Sequence, residues 1–182
     1  MDEEARLIKR VQKNGDRAAA DTLVRRYYDE IFRYVLRQTA DKNTALDLTQ
    51  DIFLSALKSL PHYEGKQAGF RTWLFKIATN KTVDHYRSRA VRARHILDAD
   101  RLDFPDGSDL VRQAELRDFS ERLRTHINAL PADLQQIFRL KFYGDCTFPQ
   151  IAALLKMPEA TVKSKYYRLL NQLRKEFKDE YD

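Results

Sequence analysis

The stretch LPADLQQIFRLKFYGDCTFPQIAALLKMPEATVKSKYYRLLNQLRK, residues 130–175, decides the fold. Leu134, Ile137, Phe138, Leu140 and Phe142 recur at helical spacing and the pattern stops at Gly144, a residue suited to ending a helix. Thr147 then stands three residues ahead of Gln150, with Pro149 between them. Thr-x-x-Gln is the signature of a capping box, in which each side chain satisfies the other's free backbone N–H. It predicts a short helix through Ile151, Ala152, Leu154 and Leu155. Pro158 follows after Lys156 and Met157, and a longer helix carries Val162, Tyr166, Leu169, Leu170, Leu173 and Phe177 on one face. Two helices joined by so tight a turn predict a helix-turn-helix. The opposite face of the second helix holds Thr161, Lys163, Ser164, Tyr167 and Arg168, groups that hydrogen-bond base edges or pair with phosphates in a major groove. Lys165 and Lys175 read as phosphate clamps.

Working toward the N-terminus, Leu116, Phe119, Leu123 and Ile127 mark another helix, broken at Leu130–Pro131. Before it, Asp98, Asp100, Asp103, Pro105-Asp106-Gly107 and Asp109 arrive with few large apolar residues, the composition of an exposed acidic linker. Three more amphipathic patterns precede the linker. Ala20, Leu23, Val24, Tyr27, Tyr28, Ile31, Phe32, Val35 and Leu36 form one, Leu46, Phe53, Ala56, Leu57 and Leu60 a second ended by Pro61, and Phe70, Trp73, Leu74, Ile77, Ala78 and Val83 a third. Strand-like alternation is absent. The expected fold class is all-α, with two small helical domains, 1–94 and 115–182, joined by a flexible linker at 95–114.

Composition narrows the function. Lys and Arg number 33 against 27 Asp and Glu, a net +6 that suits an anionic partner without naming it. One cysteine, Cys146, permits no intramolecular disulfide, and MDEEARLIKR is too polar for the apolar core of a signal peptide, so a reducing, cytoplasmic setting is expected. Charges interrupt every hydrophobic run, which excludes membrane insertion. His62, His85, His95 and His126 lack paired ligand spacing, and no nucleophile elbow, phosphate-cradling loop or kinase signature occurs, so no metal, no cofactor and no catalysis are expected. Cys146 reads as a small packing residue.

Residues 130–175 resemble the fourth conserved region of the extracytoplasmic-function (ECF) sigma factors, a compact branch of the sigma-70 family. ALDLTQDIFLSALKSL at 45–60 and GFRTWLFKIATNKTVDHYRSR at 69–89 resemble its second region. The order and the short linker match, and the likeness covers most of the chain. It implies an initiation factor that recruits core RNA polymerase, recognises the double-stranded −35 element with its C-terminal domain, and melts and captures the single-stranded −10 element with its N-terminal domain. An anti-sigma factor is a possible further partner.

The resemblance gives each patch a role. Asp47, Gln50, Asp51 and Leu54 lie at i, i+3, i+4 and i+7 opposite the apolar seam, one acidic-polar stripe. The matching stripe in the family binds the coiled-coil of the polymerase's largest catalytic subunit, where carboxylates can pair with basic side chains. The loop HYEGKQAG at 62–69 corresponds to the one that takes up a flipped base. Tyr63 could stack on that base, while Lys66, Arg71, Lys76, Asn80, Lys81 and Arg87 could hold phosphates or base edges. Trp73, in register with Phe70, Leu74 and Ile77, is assigned to the core. Lys156 stands where many relatives carry a glycine, which asks for a non-glycine turn. Two rivals remain: a stand-alone helix-turn-helix regulator, which needs no Asp47/Gln50 stripe, and a helical protein adaptor, in which the Lys163/Arg168 face is solvated surface.

Overall fold

The computed structural model describes residues 3–66, 68–93 and 110–177, with side chains at 3–66, 68–88 and 118–177. Eight helices are described: α1 (Glu3–Asn14), α2 (Arg17–Thr39), α3 (Lys42–Ser59), α4 (Phe70–Ala93), α5 (Leu110–Ala129), α6 (Ala132–Phe142), α7 (Phe148–Leu155) and α8 (Glu159–Glu176), with a 3-10 turn at Leu60–His62. No strand occurs among the described residues. The all-α expectation is met.

In the N-terminal half α2, α3 and α4 pack on one another around Ile31, Tyr34, Val35, Ala45, Ile52, Leu74 and Ala78. Local chemistry sets their ends. Asp16 caps α2 by accepting from the Ala19 N–H, and Asp41 caps α3 by accepting from the Asn43 and Thr44 N–H groups. The Ala19 N–H and the Arg10 guanidinium hold the Asp16 carboxyl below its usual range. Sequence reading did not anticipate α1. Its apolar stripe is narrow, yet Leu7 and Ile8 are buried, Arg26 pairs with Glu3, and Tyr27 donates to Glu4. Gln12 of α1 donates to the carbonyls of Leu60 (2.9 Å) and Tyr63 (2.7 Å), fastening the loop that follows α3.

The C-terminal half is α5 to α8. α5 starts at Leu110, five residues ahead of the expected boundary at 115, because 110–115 hold good helix formers with no Gly or Pro. The rest of the expected linker, 95–109, lies outside the described residues. The capping box is present in both directions: Thr147 accepts from the Gln150 N–H and Gln150 accepts from the Thr147 N–H. Lys156 ends α7 in the left-handed region at φ 53°, ψ 45°. The expected non-glycine turn is therefore corrected: the helix-turn-helix keeps the glycine-type geometry, with a lysine accepting it.

The halves touch. α4 packs against α6 and α7, and a single apolar core runs from Leu7 to Phe177. At this junction Gly144 lies so close to Phe75 that a Cβ on it would sit 2.9 Å from the ring. Arg139 is 1% exposed, donating to Gln38 Oε1 and to Asn128 Oδ1 at 2.5 Å each, with its guanidinium 5.3 Å from the Tyr86 ring.

Candidate nucleic-acid interface

On α3 the expected stripe is fully open. Asp47, Gln50, Asp51 and Leu54 are exposed, while Ala45, Leu48, Ile52, Phe53 and Ala56 are buried behind them. Leu54 is 56% exposed, an apolar side chain on the open face and not a core residue.

The loop after α3 builds a cleft of roughly 240 Å³, lined by His62, Tyr63, Lys66, Trp73, Lys76 and Leu154 among others. The Tyr63 hydroxyl donates to the Ala68 carbonyl at 3.0 Å, and Gly65 takes φ 71° beneath that ring, so the loop folds back on its own aromatic. The Tyr63 ring stands 4.9 Å from Trp73 and 5.7 Å from Phe70. Desolvation, with Glu4 nearby, raises the Tyr63 pKa. Half-buried Trp73 walls this cleft as well as packing against Phe70. Its helical register gave only the packing role. Two aromatic rings beside two lysines are the materials for stacking a base and pairing its phosphates.

Along α4 the expected contacts divide. Lys66 is exposed, in an ion pair with Glu64, Arg87 is exposed and Lys81 half-buried. Three others have partners across the junction. Arg71 reaches the Gly144 carbonyl at 3.4 Å, while within its own half it pairs with Glu30 at 2.5 Å and lies over the Phe75 ring at 4.4 Å. Lys76 donates to the Leu154 carbonyl at 2.7 Å, and Asn80 Oδ1 accepts from Gln136 at 2.9 Å. Sequence reasoning saw their polarity and not their partners.

α8 keeps its rotation. Val162, Tyr166, Leu169 and Leu173 are buried, whereas Lys163, Ser164, Tyr167 and Arg168 are exposed and Thr161 half-buried. Tyr167, 54% exposed, leans on Phe148 at 5.8 Å. Lys163 pairs with Glu159 at 2.7 Å, one turn back. Lys165 differs from the expectation: it is ion-paired with Asp133 at the start of α6, so it ties two helices together. That hydrogen bond holds the Asp133 carboxyl below its usual range.

Residues 23–92 match the family model Sigma-70 region 2, and residues 120–173 match Sigma-70, region 4. The chain is 30% identical over 176 residues to the RNA polymerase sigma-H factor of Pseudomonas aeruginosa, covering 92% of this chain and 90% of that one. It is 32% identical over 171 residues to the ECF RNA polymerase sigma-E factor of Escherichia coli K12, covering 89% and 87%. The chain belongs to the ECF sigma factors. It is a transcription initiation factor that directs promoter recognition, and not an enzyme.

The fold agrees. The solved structure of CnrH in complex with the cytosolic domain of CnrY aligns over all of both chains at TM-score 0.66 and 20% identity. That of the sigma factor RpoE in complex with the anti-sigma factor NepR, from Bartonella quintana, aligns over 87% of this sigma factor and 96% of that chain at TM-score 0.58 and 18% identity. α1 lies ahead of the region 2 match. The sigma factor's one cysteine, Cys146, is fully buried, and desolvation pushes its thiol up to about 11, which disfavours the thiolate. Among the described residues no cluster of His, Cys, Asp or Glu could hold a metal, and no helix is long and apolar enough to cross a membrane.

Proposed function

We propose that the two matched regions divide the promoter between them. The exposed face of α8, Thr161, Lys163, Ser164, Tyr167 and Arg168, reads the double-stranded −35 element. The cleft at Tyr63, Lys66 and Lys76, with Lys81 and Arg87 beyond it and Arg71 and Asn80 once released, takes the single-stranded −10 element. The α3 stripe of Asp47, Gln50, Asp51 and Leu54 binds core RNA polymerase. In this reading residues 1–94 form the region 2 unit, the C-terminal unit begins with α5, and the protein works in the cytoplasm, where its polymerase and promoters are. An anti-sigma factor that covers one of these faces belongs to the same reading.

The observation that carries it is the segregation on α8: a wholly buried apolar seam, and a basic, hydroxyl-bearing face left open right after a capped α7. A helix presented this way fits a major groove. A protein adaptor has no need for it, and a stand-alone regulator has no need for the exposed carboxylates on α3.

Run-off transcription with purified core polymerase tests the assignment. The chain should direct specific initiation, and the Asp47→Ala/Asp51→Ala double variant should lose most core binding. Its melting should hold within about 0.5 kcal/mol, as exposed substitutions do. A double variant that co-purifies with core as well as the parent overturns the α3 assignment.

A further inference from the structure

The junction between the halves places the C-terminal unit on the candidate strand-binding face of α4. Leu154, at the end of α7, walls the Tyr63 cleft, and its carbonyl holds the Lys76 ammonium. The Gly144 carbonyl takes Arg71 and Gln136 takes Asn80, so three polar groups spaced along α4 have partners from α6, α7 and the turn between them. A nucleic-acid strand would need those same donors and acceptors.

We propose that this arrangement is a self-masked state of the sigma factor, in which the C-terminal unit occupies the −10 strand face and must part from α4 before single-stranded DNA can bind. The proposal rests on the reading of the Tyr63 cleft given above.

The contacts suit a latch that can open. The junction shares the apolar core, with Phe75 against Gly144 and the edge-on Tyr34–Tyr143 pair, and it also carries polar contacts that water can replace: Arg139 to Gln38, Arg37 to the Tyr143 carbonyl, and the three α4 contacts. Among the described residues, Arg139 is a buried cation with no carboxylate among its hydrogen-bond partners, and its Nε has no hydrogen-bond partner. Burying a charge without a counter-charge is costly, and opening returns it to water. Burial, and after it the Lys156 charge, lower the Lys76 pKa, so the closed state disfavours the charged ammonium that opening returns to water. The α8 reading face takes no part in these contacts. Closure therefore masks one DNA site and leaves the other open.

The test uses the full chain with Gln38→Ala/Gln136→Ala, two junction residues that are candidates for neither DNA nor polymerase contact. Small-angle scattering reports opening. So does the emission of Trp73, the one tryptophan, which shares the cleft with Leu154. Affinities are measured for a single-stranded non-template oligonucleotide and for the upstream duplex. The variant should expand, red-shift Trp73 and bind the single strand about tenfold or more tighter, the shift expected when a buried charge loses a hydrogen bond and the competent fraction rises. Duplex affinity should not change. Expansion without tighter strand binding overturns the masking, provided the parent binds the strand at all. No strand binding by parent or expanded variant overturns the cleft reading itself. A variant that stays compact overturns the latch. Because Gln38 is buried, Gln136→Ala alone, on a half-buried site, repeats the measurements should the double variant lose helicity.

Discussion

The faces of α4 and α8 carry the same chemistry in sequence, lysine and arginine interleaved with small polar groups on the side away from an apolar seam. They end in opposite conditions. On α8, Tyr167, Ser164, Lys163 and Arg168 face outward, and the partners of Lys163 and Tyr167 lie on α7 or within one turn. On α4, Arg71, Lys76 and Asn80 are matched to a carbonyl or amide from a part of the chain more than fifty residues distant. The difference teaches that periodicity locates a polar face and says nothing of what covers it. A double helix can be met by a face that is always ready, whereas a strand-holding face exposed in the free factor would bind any single strand electrostatically.

The largest effect that could break this comparison lies in the rotation of α8. Tyr166 is buried against Phe148 at 5.6 Å, so Tyr166→Ala should cost about 3–5 kcal/mol of stability, as truncating a core aromatic does. Tyr167→Ala should leave melting nearly unchanged and weaken upstream-duplex binding. Thermal unfolding beside gel shifts decides: a folded Tyr166→Ala protein that fails on duplex, with Tyr167→Ala unaffected, would put the wrong face in the groove.

Next in size are the two exposed cations. Losing a base-reading side chain costs about 1–3 kcal/mol of binding and relaxes preference at one promoter position. Arg168 has no carboxylate partner among the described residues, whereas Lys163 must leave Glu159 to reach DNA. Arg168→Ala should therefore cost more than Lys163→Ala, and Glu159→Gln should tighten duplex binding. Titrations against point-mutated promoters check both. Equal losses, with Glu159→Gln silent, would make the ion pair irrelevant to docking.

Smaller still is the contrast between two lysines of α8 that look alike in sequence. Lys175 is exposed, and its replacement should flatten the slope of log affinity on log salt by about one unit. Lys165 is tied to Asp133, so Lys165→Ala should change that slope less and reduce stability instead. The pH dependence follows from Asp133, whose folded pKa is lowered chiefly by the Lys165 hydrogen bond. A lowered carboxylate contributes stability above its unfolded pKa near 4 and loses it as pH falls through the folded value. Lys165→Ala should remove that part of the acid sensitivity. Melting curves between pH 7 and pH 3 measure it, and identical acid limbs for parent and variant would dismiss the pair.

The readable features were those fixed within one or two turns. Thr147 and Gln150 announced α7 by themselves, and Val162, Tyr166 and Leu169 set the rotation of α8 through spacing alone. Asp47, Gln50, Asp51 and Leu54 were legible as an open stripe for the same reason. α1 was not, because Leu7, Ile8 and Val11 make a stripe too short to stand out, and its stability comes from packing on α2 rather than from propensity. The start of α5 was placed late because its first residues lack a marked period. The partners of Lys165, Arg71 and Asn80 were not legible because they are distant in sequence, and a solvated lysine and a paired one leave the same letter. Trp73 serves two environments at once, and register reports only one.

The smallest effect concerns Lys156, where local geometry and the junction meet in one side chain. An L-residue at φ 53° carries a steric cost that glycine lacks, of roughly 1–2 kcal/mol. Glycine gives part of it back by loosening the unfolded chain. Lys156→Gly should thus stabilise the protein by about 0.5–1 kcal/mol, a rise of about 1–4 °C for a chain of this size. A second cause predicts the same sign, since the Lys156 charge adds to burial in lowering the Lys76 pKa. Lys156→Ala separates them, because alanine removes the charge and keeps the strained backbone. If Gly stabilises and Ala does not, the turn geometry is responsible and the compactness of the chain stays as it was. If both stabilise equally, the charge is responsible, and the gain should shrink with added salt, disappear in a Lys76→Ala background and accompany a more closed junction. Duplex affinity should hold in every case, since Lys156 lies outside the α8 face; a loss there in either variant would mean that the turn, and not α8 alone, meets the upstream element.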